Sequence, residues 1–107
     1  MELVDVIKEL DKAVRANGSN GHLLLSKQIL PTSVNVYKEV TFTLWYKDFT
    51  DTKEVCKMST KVKLPSNQKE KILNDLSLQF MGIIFCYMQT EAFKKVVYGR
   101  ETGVEAE

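Results

Sequence analysis

One histidine, two cysteines and two prolines are all that the 107 residues hold of these types. His22 has only Cys56 or Cys86 with which to form a nucleophile–base pair, and both cysteines fall on expected core faces, so a nucleophilic enzyme is not expected. Two cysteines without CxxC spacing make no disulfide framework. Nor do they make a zinc centre, which needs about four ligands. They read as buried thiols in a reducing cytoplasm. The chain has no GxxxxGK[ST] and no GxGxxG, so Asn17–Gly21 reads as a hinge and not as a phosphate cradle. Asp48 and Asp51 fit a turn better than an acid–base pair. Charge of one sign is missing too. Fifteen Lys+Arg stand against fourteen Asp+Glu, for a net charge of +1. That disfavours a wholly basic nucleic-acid binder and an acidic DNA mimic alike. Long apolar runs are absent: the longest, Phe80 to Met88, is far shorter than the roughly 20 residues of a membrane helix. The acids in Met1-Glu2-Leu3-Val4-Asp5 do not fit a secretory signal. These absences point to a cytoplasmic protein with no catalytic, cofactor-binding or metal-ligating residues.

The composition that remains is globular, with 44% hydrophobic and 27% charged residues. In Glu2 to Ala16, Leu3, Val6, Ile7, Leu10 and Val14 form one stripe at helical period, and Asn17-Gly18 offers a stop. His22 to Leu30 lies between Gly21 and Pro31, which favours a strand. Val34 to Lys47 alternates at period two and is rich in β-branched and aromatic residues, the mark of a half-buried strand. Lys53 to Leu64 alternates again. Pairing residues whose numbers sum to about 100 joins the two apolar faces through a three-residue loop at Phe49-Thr50-Asp51. Phe42 then meets Met58, Leu44 meets Cys56, Glu39 meets Lys61, Thr41 meets Ser59, and Trp45 meets Val55. Asn67 with Glu70 resembles a capping box. A helical stripe follows through Ile72, Leu73, Leu76, Phe80, Ile83, Ile84, Tyr87 and Met88. It either continues to Tyr98 or breaks at Gln89-Thr90-Glu91. The reading is an α+β fold of order αβββα. Residues 1–98 form a single domain with both helices on one face of an antiparallel sheet, and 99–107 form a short, flexible acidic tail.

Two surfaces are candidates for binding. A helix on a small sheet needs only one apolar stripe, yet Met81, Phe85, Met88 and Ala92 form a second one. Gly82 beside them admits a second backbone. Cover by the first helix, by an apolar ligand or by another copy of the chain are the alternatives, and a homodimer or higher oligomer is the leading one. The second surface is the outer face of the hairpin. There Lys47, Lys57, Lys61 and Lys63 stand against Glu39, with Tyr37 and Trp45 among them. Aromatics between lysines suit a protein partner or single-stranded nucleic acid, and a solvated strand face is the plain alternative.

The order helix–three strands–helix also looks like the double-stranded-RNA-binding domain. The basic cluster and the Gly-Pro-x-His loop of that family are missing here. The run Pro65-Ser66-Asn67-Gln68-Lys69-Glu70-Lys71-Ile72, followed by Gly82 and Thr90, resembles the helix of a small accessory protein of T-odd phages, over about a quarter of the chain. That family antagonises the host's histone-like nucleoid-structuring protein. The resemblance implies a self-associating viral inhibitor that occludes a partner protein in the host cytoplasm. The alternative function is nucleic-acid binding by the lysine and aromatic sheet face.

Overall fold

A computed structural model describes residues 2–16, 20–91 and 93. Helix α1 (Leu3–Ala16) precedes strands β1 (His22–Pro31), β2 (Tyr37–Lys47) and β3 (Thr52–Lys63), and helix α2 (Lys69–Tyr87) follows. The strands form one antiparallel sheet in the order β1-β2-β3. The fold is α+β with αβββα order, as the sequence pattern predicts. The expected stop at Asn17-Gly18, the segment beyond Phe93 and the expected tail 99–107 lie outside the described residues.

Alternation in β2 sends Val40, Phe42, Leu44 and Tyr46 to the inner face, where each is at most 4% exposed. Leu3, Ile7, Leu10 and Val14 of α1 pack there, as do Leu76, Phe80 and Ile84 of α2. Phe80 is wholly buried and stacks on Phe42 with ring centroids 5.6 Å apart. Gly21, just before β1, lies against the Tyr46 ring so closely that a Cβ there would collide with it.

The β2–β3 register follows the expected sum from Glu39↔Lys61 through Leu44↔Cys56. A bulge between Leu44 and Trp45 then shifts it by one residue, so Trp45 faces Glu54 and not Val55. The extra residue, Val55, joins the core at 5% exposure. The shift also lengthens the connection to four residues, Asp48 to Asp51, since Lys47 pairs with Thr52. Asp48 Oδ1 accepts hydrogen bonds from the Thr50 and Asp51 amides at 2.9 and 3.0 Å and from the Thr50 hydroxyl at 2.8 Å. These bonds, the Thr50 amide first, hold the Asp48 carboxyl below its ordinary pKa.

Three boundaries differ from the periodicity. Val34 and Val36 lie in the β1–β2 turn and not in β2, and are 52% and 55% exposed. The Val34 amide donates to Thr32 Oγ1 and the Val34 carbonyl accepts from the Tyr37 amide, which closes the turn before the strand starts. At α2 the cap is Gln68, without a side-chain cap bond. The Pro65 carbonyl accepts from the Gln68 amide, so one turn is wound before the helix and Asn67 arrives too early to cap it. Helix α2 then breaks after Tyr87. The Thr90 hydroxyl donates to the Tyr87 carbonyl at 2.7 Å, and Thr90 Oγ1 accepts from the Phe93 amide at 3.2 Å. Thr90 therefore ends one helix and caps the next turn. Phe93 is buried edge-on to Tyr87.

Phe80→Ala is expected to lower stability by about 3–5 kcal/mol in urea unfolding followed by circular dichroism. Phe85→Ala, which removes a side chain already 47% exposed, is expected to cost less than half as much.

Candidate functional site

The expected self-association residues separate into two groups. Gly82 and Phe85 lie on the solvent side of α2. A Cβ at Gly82 would meet nothing within 4 Å, and Phe85 is 47% exposed. Met81 and Met88 are half-buried and pack against the core. Ala92 lies outside the described residues. The cause is α1, which runs along the Met88 side. Val6, Glu9, Leu10 and Ala13 face Phe85 and Met88 across an apolar groove of about 260 Å³. The first helix thus takes up part of the second stripe, and Phe85 is left at its rim.

What α1 leaves open is turned toward Leu78, 50% exposed, and Ile83, 38% exposed. Leu78, Gly82, Phe85 and Cys86 follow one another at helical spacing, and Cys86 is exposed. A concavity of about 700 Å³ beside them is lined by Gln79, Gly82, Ile83, Cys86, Tyr87 and Thr90. No charged residue occurs from Leu76 to Thr90. Leu78 is legible in the sequence as the residue four before Gly82. Its exposure depends on where α1 lies, which periodicity in α2 alone does not contain.

The outer sheet face is more self-satisfied than its composition suggests. The Trp45 indole N–H donates to Ser26 Oγ at 2.9 Å, which holds the ring diagonally across the face toward β1. Lys63 Nζ sits 5.9 Å from the centroid of Tyr37 and covers that ring. Lys57 lies 3.8 Å from Glu54, the residue that the bulge brings opposite Trp45. The Ser59 hydroxyl donates to Glu39 and lies 3.0 Å from Thr41 Oγ1. Lys47 and Lys61 are exposed. Adding Glu54 changes the local balance from four lysines against one acid to four against two, that is from +3 to +2.

His22 is engaged elsewhere. Its Nδ1 lies 3.1 Å from Arg15 Nη1, and a guanidinium only donates, so Nδ1 accepts. Asp11 Oδ2 is 3.8 Å from the same nitrogen. Among the described residues, no group of three or more His, Cys, Asp or Glu could hold a metal ion. No helix among them is long and apolar enough to cross a membrane. No family model, curated protein or solved structure matches the chain.

The two thiols differ. Burial pushes Cys56 up to about 11, with Glu54 adding to the effect, and Cys56 is half-buried where Cys86 is exposed. An alkylating reagent at about pH 8 is therefore expected to modify Cys86 first in the native protein and both only after unfolding, as read by peptide mass. Equal native rates would contradict this environment for Cys56.

Proposed function

We propose that this chain is a non-catalytic protein-binding domain that pairs with a second copy of itself through α2 and acts by covering a face of another protein. One observation carries the pairing: the uncharged stretch of α2 from Leu76 onward, whose apolar residues surround it, with Leu78, Ile83 and Phe85 each more than one-third exposed about the open Gly82. Soluble monomers seldom leave such a stripe in water. Gly82 forms a notch, and the neighbouring Leu78 and Phe85 are knobs of the right size for the same notch on a two-fold-related copy. An antiparallel crossing is favoured, because a parallel one sets Lys71 against Lys71 and Asp75 against Asp75. With its polar rim, such a contact buries on the order of 1,000 Å² in total, the low end of specific interfaces. Occlusion of a partner is the mode that the phage accessory proteins suggest. It suits a chain with small net charge and no reactive constellation of side chains on the described surface. The outer-face ties of Trp45, Tyr37 and Lys57 weigh against base stacking there, so the nucleic-acid reading stands second.

Light scattering coupled to size exclusion tests the pairing. At roughly 100 µM, ten times the Kd that about 7 kcal/mol implies, the wild type is expected near twice 12.3 kDa. Gly82→Glu, placed where a side chain meets open space, is expected to return it to a single chain with its helix content intact. A wild type that stays at 12.3 kDa throughout removes the pairing.

A further inference from the structure

Strand β1 has the composition of an interior strand and the position of an edge. Leu23, Leu24, Leu25, Ile29 and Leu30 fall on both of its faces, as in strands covered on both sides. Among the described residues, however, only β2 pairs with it. The opposite edge, β3, carries the usual protection against further pairing: Lys53, Lys57, Lys61, Lys63 and a bulge. β1 has Lys27 alone before its terminal Pro31. On the inner face Leu25 and Ile29 are only half-buried, while their β2 partners Leu44 and Val40 are fully buried. On the outer face Leu24 and Leu30 are 45% and 41% exposed.

The backbone direction of this edge is fixed by two independent features. The Leu23 amide donates to Asp11 Oδ1 of α1 at 2.8 Å, so it points away from β2. The unbroken register carries the amides of Leu25, Lys27 and Ile29 to the same side. Pro31 falls in that series, where a missing N–H costs the β1–β2 ladder nothing. The Asp11 carboxylate thus occupies the first place at which a neighbouring strand would offer a carbonyl. Beside the places that follow lies a groove of about 440 Å³, with Phe42 and Leu73 as its apolar part and Lys27, Lys69, Glu70 and Asn74 around them.

We infer that the β1 edge from Leu25 to Ile29 accepts an extended segment of a different protein as a fourth strand, with apolar residues beside Leu25 and Ile29 and an acidic residue beside Lys27. Backbone hydrogen bonds hold the segment, and alternate side chains select it. Lys27 disfavours the best-matched pairing with a second copy. The self-pairing that joins Leu24 to Leu30 and Leu25 to Ile29 sets Lys27 directly against Lys27. This inference is independent of the α2 contact and does not rest on it.

The test uses the full chain, isotope-labelled, and the end-capped peptide Leu-Val-Thr-Glu-Thr-Val-Leu, whose symmetry suits either strand direction. Hydrogen exchange at the amides of Leu25, Lys27 and Ile29 is expected to slow by about tenfold or more at saturating peptide. A peptide with Lys in place of Glu is expected to bind about tenfold more weakly, and Lys27→Glu to reverse that order. Lys27→Pro, which removes an outward amide, is expected to abolish binding with an unchanged circular dichroism spectrum. Absence of protection at these amides overturns the inference, as does protection that persists in a folded Lys27→Pro. Protection already present without peptide overturns it as well. If that protection grows with protein concentration the occupant is a second copy, and if it vanishes on deletion of residues 99–107 it is the chain's own end.

Discussion

A three-stranded sheet can keep only a narrow band of each covering helix dry, and that limit governs the rest of this molecule. The contact that sets the band is Phe80 on Phe42, in a core that also holds Leu76 and Ile84 of α2 and Val40 and Leu44 of β2. Once those residues are in place, the orientation of α2 is decided. Every other apolar side chain on the helix must find cover from α1 or face outward. α1 packs its own stripe against the sheet on the β1 side and reaches α2 at the Met88 flank, with Phe85 at the rim. The outward position of Leu78, Gly82 and Phe85 follows from geometry, not from any local preference of those residues.

Much of this is legible in the residue pattern alone. Period-two alternation through Val40, Phe42, Leu44 and Tyr46 marks the central strand. Cross-strand matching of Glu39 with Lys61 and of Thr41 with Ser59 sets the register over its first half. Both depend on neighbours close in sequence or on a single pairing choice. The bulge does not. Nothing in Glu54-Val55-Cys56 taken alone says which residue is the extra one. The answer depends on how Val55 fills space under the helices. The same holds for Val34 and Val36, whose β-branched side chains suit a strand until Thr32 closes the turn ahead of them. In these cases packing or a side-chain-to-backbone bond overrides intrinsic preference.

The candidate surfaces are partly legible for a related reason. Excess apolar residues in Phe80–Met88 signal an unmet need for cover, and Gly82 and Phe85 do lie outward. Which flank stays open is hidden, because it depends on a helix far away in the chain, at the opposite end of the element order. The outer sheet face promises more in sequence than it offers in space. Lysines and aromatics there answer one another, Ser26 and Glu54, the acid that the bulge realigns. The open sheet edge leaves no mark in the pattern, since a Leu-rich segment looks complete until its place in the strand order is known.

Asp11 links these themes in one side chain. It belongs to the helix that shelters the sheet, and one of its oxygens ends the free row of β1 amides at Leu23. The same bond therefore ties α1 to β1 and occupies the first outward amide of that edge. A residue at position 11 without a side-chain acceptor would loosen the helix and free the Leu23 amide at once. One acid on a covering helix thus sets the length of the strand edge beneath it.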